Sequence, residues 1–209
     1  MPEPAEQLLE LGAATLGESG GRPMRARIRP VWRGARLAAP AFTVRCTSGD
    51  NLAVHAAVAR APAGSALVVD VGLEPELGYW GEVLTTAATA RQVTGLVIDG
   101  CVRDAAALES RRFPVFSTGV ALPGATKNLP GATGGTVDVG EVPVDTGDWI
   151  VGDVDGVTVV PSAQLHDVLA AGQARAKREQ ALFEALRHGS TTVELLGLDP
   201  SSVVDEGGE

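Results

Sequence analysis

Three side chains suited to acid–base and anion chemistry stand at two successive strand-to-helix turns. Glu82 follows a Gly-bearing loop after the strand-like run 65–70, and Arg103 and Asp104 follow the next such run, 95–99. Twenty residues separate Glu82 from Arg103. Because consecutive β-to-α turns lie on one edge of a parallel sheet, where α/β proteins usually bind ligands, we expect these side chains to share a site.

The chemistry open to this group is anion binding and hard-metal chemistry. Mg²⁺ prefers oxygen ligands and binds through one or two carboxylates plus its substrate, so Asp104 is the candidate ligand. Arg103 can bind a substrate carboxylate through two parallel hydrogen bonds, and Glu82 can polarise a metal-bound water. The helix predicted after the first turn opens with unpaired backbone N–H groups, which form a seat for an anion. These groups belong to Gly81, Glu82, Val83 and Leu84.

Asp104 also fits a structural interpretation. Asp followed by Ala-Ala-Ala-Leu is a common N-cap sequence, and a single Asp at a helix start is a cap more often than a metal ligand. The adjacent Arg103 and the facing Glu82 favour the ligand. Residue types alone leave both interpretations open.

Other catalytic classes lack the residues they need. The chain contains only two lysines, Lys127 and Lys177, and neither is expected among buried catalytic partners, as a Schiff-base mechanism requires. Lys127 lies in a Gly/Pro-rich loop, from which it can at most contact a substrate. His55, His166 and His188 lack the spacing of a zinc site. The sequence contains no nucleophile elbow, phosphate loop or dinucleotide motif.

The composition is that of an ordinary globular protein, with 44% apolar and 4% aromatic residues. A net charge of −9 and a pI near 4.8 argue against a large nucleic-acid-binding surface, despite the basic segment 22–36. No apolar run approaches the ~18 residues of a membrane span, and the N-terminus lacks a secretory signal pattern. We therefore expect a cytoplasmic protein without membrane partners. Cys46 and Cys101 are too few for a disulfide scaffold, and Cys101 is expected to pack as a small core residue.

Alternating strands and helices must position these residues. We predict one domain over residues 1–209, with its core at 37–189. Pro40 places the first strand at an edge or a bulge, and Asp50 or Asn51 can cap the following helix. The predicted helices are 5–16, 51–60, 81–93 and 105–112. The predicted strands of the first half are 37–46, 65–70, 95–99 and 113–117. A Gly/Pro-rich loop at 121–135 follows, and it is long enough to suggest a function. The second half is predicted to contain short β runs that close on themselves, at 136–139, 142–144, 148–151 and 156–160.

A long helix follows the β runs. Ser162 is the predicted N-cap, and Gly189 is predicted to end the helix after His188. At 1.5 Å per residue the helix is roughly 40 Å long, more than a domain of this size needs. Part of it is predicted to pack on another subunit, and the alternative is that it wraps its own domain. Residues 199–209 are predicted to be disordered.

Several segments together match a known family pattern. They are Asp-Asn-Leu-Ala-Val-His at 50–55, Leu-Val-Val-Asp at 67–70, Trp-Gly-Glu at 80–82, Gly-Leu-Val-Ile-Asp-Gly-Cys-Val-Arg-Asp at 95–104, Phe-Pro-Val-Phe at 113–116 and Gly-Asp-Trp-Ile-Val-Gly-Asp-Val-Asp-Gly at 147–156. With them the chain closely resembles the 4-hydroxy-4-methyl-2-oxoglutarate aldolase family, which also includes the regulator of ribonuclease activity A. The resemblance runs from about residue 37 to 189. Its specific signature is a carboxylate followed, after twenty residues, by Arg-Asp.

The resemblance implies a single-domain α/β/β sandwich around a small barrel-like mixed sheet, assembled as a homotrimer or hexamer with sites between subunits. It implies that Asp104 binds Mg²⁺ or Mn²⁺, partly through ordered waters. Arg103 corresponds to the arginine that binds the pyruvate carboxylate and oxo oxygen, and the backbone of 81–84 to the cradle for that carboxylate. Glu82 takes the position of the acid that orients water. A glutamate from the neighbour's C-terminal helix can contribute, and Glu179 is the candidate.

The implied activity is that of a metal-dependent class II pyruvate aldolase. Such an enzyme cleaves 4-hydroxy-2-oxo acids, and decarboxylates oxaloacetate, through a pyruvate enolate. Two alternatives stay open: a non-catalytic regulator that binds a ribonuclease or another protein, and recruitment to another lyase reaction in specialised metabolism. The chain departs from the family pattern at 13–16, which lacks an expected Asp, and at 73–79, ahead of the Trp-Gly-Glu segment. Both departures concern the pocket beyond the pyruvyl group and leave the physiological substrate undefined.

Overall fold

The structure is a computed structural model that describes residues 3–204. Within this range the α-helices are α1 (Pro4–Gly17), α2 (Leu52–Arg60), α3 (Glu82–Ala90), α4 (Ala105–Ser110), α5 (Leu165–Arg187) and α6 (Thr192–Leu196). The strands are β1 (Arg22–Pro23), β2 (Arg29–Pro30), β3 (Leu37–Arg45), β4 (Ala66–Asp70), β5 (Gly95–Ile98), β6 (Cys101–Val102), β7 (Val115–Ser117), β8 (Gly119–Val120), β9 (Ala132–Thr133), β10 (Val137–Val139), β11 (Val142–Val144), β12 (Trp149–Gly152) and β13 (Val157–Val160). The predicted helices and strands thus exist, with ends that differ by a few residues.

The main sheet is mixed and curls into a half-barrel. Its strand order is β1-β13-β12-β3-β4-β5-β7-β2, and β9 pairs with the end of β3. The central strands β3, β4, β5 and β7 are parallel, whereas β12, β13, β1 and β2 pair antiparallel. The parallel strands are joined by helices, as parallel connections require. Of the antiparallel pairs in this sheet, β12 and β13 are joined by a short turn, whereas the others pair strands distant in sequence.

The two faces of the sheet bury different layers. Leu67 and Val69 point toward helices α2, α3 and α4. Ala66 and Val68 point toward the hairpin of β10 and β11, which contributes four buried valines to the second core. Because successive side chains of a strand face opposite sides, a strand covered on both faces is apolar throughout, as residues 66–69 are. The α/β/β sandwich expected from the sequence is confirmed.

Pro40 predicted an edge or a bulge; β3 as a whole is not an edge strand, but at Pro40 it is paired on one side only. β3 lies inside the sheet, and its first four residues pair with β12 whereas residues 41–45 pair with β4. Ala41 donates its N–H to Asp148 on the β12 side, at 2.7 Å. Since backbone donors alternate sides along a strand, the ring nitrogen of Pro40 faces the β4 side, where pairing begins only at the next residue. The proline therefore interrupts no ladder hydrogen bond.

The long helix α5 is present, but Ser162 does not cap it. Ser162 begins a 3₁₀ turn, and its backbone N–H donates to the Asp148 carboxylate at 2.9 Å. The first half of α5 packs on α1, where Gly172 allows close approach of Leu11. Beyond Gly172 the helix has no buried residue, and Phe183 is 46% exposed. The helix ends at Arg187, and Gly189, in the left-handed region, terminates it as predicted.

Two further predictions concern the ends and the thiols of the chain. Cys46 and Cys101 are buried free thiols, which agrees with packing as small core residues. The predicted disordered tail begins at 199; a turn lies at 201–202, where the N–H of Ser201 donates to the carboxylate of Asp199, and residues 205–209 lie outside the described residues. Between residues 3 and 204, no helix combines the length and apolar character needed to cross a membrane.

Candidate functional site

A cavity of about 170 Å³ lies at the carboxyl-terminal edge of the parallel strands. It is bounded by the start of α2, the loop before α3, the β6–α4 junction and the loop after β8. The residues that line it are Asn51, His55, Gly78, Tyr79, Trp80, Gly81, Val83, Leu84, Arg103, Asp104, Gly124, Ala125 and Lys127. Of the predicted site residues, the structure brings Gly81, Val83, Leu84, Arg103 and Asp104 together in this wall, and not the side chain of Glu82.

Three glycines shape the wall around Arg103. The backbone N–H of Arg103 donates to Trp80, at 2.8 Å, which joins the two β-to-α loops. A Cβ atom on Gly78 would lie 3.1 Å from Cδ of Arg103, and one on Gly124 would lie 3.4 Å from its Nη1. A Cβ on Gly81 would lie 3.1 Å from Cγ of Arg103. The guanidinium stem therefore lies in a groove that larger residues would fill.

The carboxylate of Asp104 caps helix α3 and not helix α4, which Asp104 immediately precedes. Its backbone has left-handed angles, φ 59° and ψ 36°, an uncommon conformation that Asp tolerates better than most residues. Its carboxylate makes no capping bond to α4. Instead Oδ2 accepts a hydrogen bond from the backbone N–H of Glu82, at 3.0 Å, and lies 3.9 Å from Nε of Arg103. The cap interpretation and the ligand interpretation are thus compatible, since only one carboxylate oxygen is used in this contact.

Glu82 turns its carboxylate away from the cavity. Oε1 accepts hydrogen bonds from Nη2 and Nε of Arg111, at 2.8 and 3.2 Å, at the end of α4. Both side chains are nearly half exposed, so the ion pair contributes little to stability. The role of Glu82 in orienting water stays a prediction.

The first turn of α3 presents backbone donors to the cavity. Thr85 already donates its N–H to Gly81, and the N–H of Glu82 is taken by Asp104. The N–H groups of Val83 and Leu84 have no partner within the helix, because they precede its first possible i→i−4 acceptor. Both residues line the cavity, so an anion bound there would meet two free donors at the positive end of the helix dipole.

The donor set fits a hard divalent ion held by one carboxylate. Among residues 3–204 no cluster of three or more His, Cys, Asp or Glu side chains forms a closed metal cage. Asp104 is 43% exposed at its side chain and lies in the cavity wall. Mg²⁺ keeps several waters and commonly binds through one or two carboxylates plus substrate oxygens, so a single carboxylate in the cavity wall is compatible with such an ion.

Sequence reasoning missed Asn51 and His55 as residues of the cavity wall, whereas Lys127 lines it from the loop that was expected to allow contact with a substrate. Asn51 donates its side-chain amide to Tyr79, at 2.8 Å, while its Oδ1 is buried without a partner in the described structure, as is Nε2 of His55. Burial lowers the pKa of His55, and the nearby Lys127 lowers it further, which favours the neutral imidazole. Asn51 directly precedes α2 and His55 lies in its first turn. They are four residues apart, and this spacing could have placed them on one face of the helix.

Buried Asp50 organises the loop after β8. Its Oδ1 accepts the backbone N–H of Leu52, at 2.8 Å, so Asp50 rather than Asn51 caps α2. Its Oδ2 accepts the hydroxyl of Thr126, at 2.7 Å, and the backbone N–H groups of Asn128 and Leu129, at 2.5 and 3.0 Å. Burial alone would raise the pKa of Asp50, but these hydrogen bonds outweigh it and lower the pKa to about 2.

The fold and this site define a class of proteins: a curled mixed sheet with an Arg-Asp pair and a helix N-terminus around one cavity. The chain belongs to the RraA-like Aldolase/RraA family, which matches residues 10–159. A protein of Halalkalibacterium halodurans named "Putative 4-hydroxy-4-methyl-2-oxoglutarate aldolase" is 36% identical over 158 residues, covering 76% of this chain and 73% of that protein.

Two solved structures share the fold. A crystal structure of a protein from Pseudomonas syringae pv. tomato superposes with a TM-score of 0.81 and 26% identity, over 90% of each chain. The RNA-processing inhibitor RraA from "Thermus thermophilis" superposes with a TM-score of 0.65 and 24% identity, over 71% of this chain and 92% of that one. The second likeness concerns the fold alone.

Proposed function

We propose that this chain is a divalent-metal-dependent carbon–carbon lyase, a class II aldolase that cleaves 4-hydroxy-2-oxo acids and releases pyruvate. The observation that carries the proposal is the convergence of Arg103, Asp104 and the free first-turn amides of α3 on one cavity. The name of the Halalkalibacterium relative supports the reaction class. Oxaloacetate decarboxylation is proposed as a second activity, because it forms the same pyruvate enolate.

In the proposed complex the substrate carboxylate binds the backbone of residues 81–84, and Arg103 donates to the oxo oxygen. When the bond between C3 and C4 breaks, its electron pair moves into the pyruvyl fragment and negative charge develops on the oxo oxygen. The proton of the C4 hydroxyl passes to a base, and C4 becomes the carbonyl carbon of the second product. A water oriented by Glu82 is proposed to accept this proton and to return a proton to C3 of the enolate, which gives pyruvate. A guanidinium already held in place stabilises the developing charge without further reorganisation.

Asp104 is the proposed ligand for Mg²⁺ or Mn²⁺. A bound divalent ion supplies Lewis-acid stabilisation of the oxyanion. Glu82 is proposed to orient a water in the site. For this role its carboxylate must leave its ion pair with Arg111 and bind the water instead. No covalent bond between substrate and protein is required, which agrees with the scarcity of lysines in the chain.

We further propose that the sites are completed between subunits of a homotrimer or hexamer. In the second half of α5 no residue after Gly172 is buried, and the contacts of this half with the rest of the described chain include the ion pair of Arg175 with Glu18. Glu179, in this half, pairs with Arg175 at 2.8 Å and does not line the cavity of its own subunit. A neighbouring copy is the proposed place where Glu179 reaches a site, and light scattering of the purified protein tests the assembly.

The test of the proposed activity is pyruvate release from oxaloacetate and from 4-hydroxy-2-oxoglutarate, followed with lactate dehydrogenase. We expect release with Mg²⁺ or Mn²⁺, loss of release with a chelator, and recovery when the metal is returned. A folded protein that releases no pyruvate from either compound with either metal would contradict the proposal.

A non-catalytic regulator is the second candidate, because the Aldolase/RraA family also contains RraA. This candidate requires a protein-binding surface and does not require the Arg103–Asp104 arrangement. A third candidate is another lyase reaction of specialised metabolism at the same site. Metal-dependent pyruvate release separates both lyase candidates from the regulator, and the substrate that gives the higher kcat/KM separates the lyases from each other.

A further inference from the structure

We propose that Arg111 is a positioning residue that competes with the divalent ion of the site for the carboxylate of Glu82. The inference rests on the proposed function and deepens it, because it links ion binding to the opening of the ion pair between Glu82 and Arg111. Nη2 and Nε of Arg111 donate to Oε1 of Glu82, at 2.8 and 3.2 Å. While this pair is closed, Glu82 is not available to orient a water in the cavity.

The two contacts of Glu82 lie at opposite ends of helix α4. Its backbone N–H donates to Asp104, which directly precedes α4, and its carboxylate binds Arg111, which directly follows α4. At 1.5 Å per residue, the step from Asp104 to Arg111 spans roughly 10 Å along the helix axis. The ion pair therefore draws the carboxylate of Glu82 along α4 and away from Asp104, the proposed ion ligand.

The side chain of Glu82 starts beside the cavity wall. Its neighbours Gly81 and Val83 both line the cavity, and its backbone N–H lies 3.0 Å from Oδ2 of Asp104. The side chain is nearly half exposed, which leaves it room to rotate. Rotation about its side-chain bonds redirects the carboxylate without moving the backbone that Asp104 binds.

The charges at the two ends of α4 explain why an ion would change the direction of Glu82. The carboxylate of Asp104 repels that of Glu82, and Arg103, whose Nε lies 3.9 Å from Asp104, offsets part of this charge. Arg111 provides a full positive charge and two hydrogen bonds. A divalent ion bound at Asp104 adds two positive charges on the cavity side, so the balance shifts toward the cavity.

The pair of Glu82 and Arg111 is weak enough to be displaced. Their side chains are 48% and 43% exposed, and exposed ion pairs shift an equilibrium by at most about fivefold. Both hydrogen bonds end on Oε1, and Oε2 accepts none from any residue between 3 and 204. Only one oxygen of Glu82 must therefore change its partner. Removal of the Arg111 guanidinium should strengthen ion binding.

Titration with Mn²⁺ alone, followed by the electron paramagnetic resonance signal of the free ion, tests the inference without turnover. We expect Arg111→Met to lower the dissociation constant of Mn²⁺ by about two- to fivefold. The adjacent Arg112 supplies the matched control, because it is exposed and forms no ion pair within residues 3–204. Arg112→Met removes the same charge from the same end of α4, and the dissociation constant should stay near the unaltered value.

A second substitution shows whether the effect of Arg111 passes through Glu82. In the Glu82→Gln background, Arg111→Met should leave the dissociation constant unchanged, because no carboxylate remains for the arginine to bind. A general effect of charge would persist in that background. Equal dissociation constants for Arg111→Met and Arg112→Met would overturn the inference, and so would an equal effect of Arg111→Met with and without the Glu82 carboxylate.

The outcomes separate the role of Arg111 from the proposed lyase activity. If Arg111→Met has no effect on Mn²⁺ binding while pyruvate release requires the metal, the role of Arg111 fails and the lyase activity stands. If the effect is found but no substrate releases pyruvate, the lyase activity fails and the role of Arg111 stands. An unaltered protein that binds no Mn²⁺ overturns both the role of Arg111 and the metal dependence of the activity.

Discussion

The carboxylate of Asp104 accepts a hydrogen bond from the backbone N–H of Glu82, so the residue that begins α4 caps the neighbouring helix α3. Together with the hydrogen bond from the N–H of Arg103 to Trp80, this contact joins two β-to-α junctions. It also directs the carboxylate into the cavity that Arg103 lines. The proposed metal ligand is therefore positioned by the helix whose amides are proposed to bind the substrate.

A comparison of Asp104→Ala with Asp104→Asn should separate the capping of α3 by Asp104 from its proposed role as a metal ligand. We expect Ala to lower the free energy of unfolding by about 1 kcal/mol through the lost cap, and Asn to keep most of that stability because its side-chain oxygen still accepts the N–H. Both variants should lose pyruvate release by about a hundredfold or more, since neither retains the negative charge that binds the metal. Chemical denaturation and the pyruvate assay measure the two effects. Full activity in Asp104→Asn would remove the carboxylate from the mechanism.

Gly81→Ala should damage the site by crowding. The φ of Gly81 is extended and suits any residue, but an added Cβ would lie 2.5 Å from Oδ2 of Asp104, too close for any real contact. We expect Asp104 to shift and pyruvate release to fall at least about tenfold. Gly135→Ala is the matched control, because a Cβ there meets nothing within 4 Å. A crystal structure of the Gly81→Ala variant with Asp104 unmoved would refute this explanation.

Thr85→Val should destabilise the core beneath the cavity. The hydroxyl of Thr85 accepts the indole N–H of buried Trp80, at 2.7 Å, and Trp80 stacks on Phe113 with a centroid distance of 5.8 Å. Removing the hydroxyl leaves a buried donor unsatisfied, at a cost of about 1–3 kcal/mol in the free energy of unfolding. The exposed neighbour supplies the comparison: Thr86→Val should change stability by less than about 0.5 kcal/mol. Equal effects of the two substitutions in urea denaturation would count against the indole contact.

Acid should destabilise the protein partly through Asp50. Its pKa is lowered from 3.8 to about 2 in the folded chain, so the folded state binds the proton less readily than the unfolded state does. The resulting stability is present above about pH 4 and is lost as the pH falls from 4 toward 2. Asp50→Asn should be less stable at pH 7 and should show a shallower loss across this interval, measured by denaturation at each pH. An unchanged slope in the variant would show that other carboxylates account for the acid sensitivity.

Much of the fold followed from local pattern. The run 66–69 is apolar without alternation, which indicates a strand covered on both faces, and residues 137–160 alternate short apolar runs with turn residues. The strand-to-helix sequence of the two central units predicted that Glu82, Arg103 and Asp104 begin their helices on one edge of the sheet. Pro40 indicated an edge strand, but β3 lies inside the sheet. The proline is tolerated there because its nitrogen faces the β4 side, on which residues 37–40 have no pairing partner.

The fold class, the sheet edge that bears the candidate site and the Arg-Asp pair in its wall thus followed from the sequence. The directions of the side chains emerge from the three-dimensional structure alone: Glu82 faces Arg111, Asp104 faces α3, and Lys127 lines the cavity on a loop bound to Asp50. Each of these contacts joins residues 22 to 79 positions apart. Sequence periodicity reports which face of an element is buried, but it carries no information about which distant polar partner will meet a side chain there.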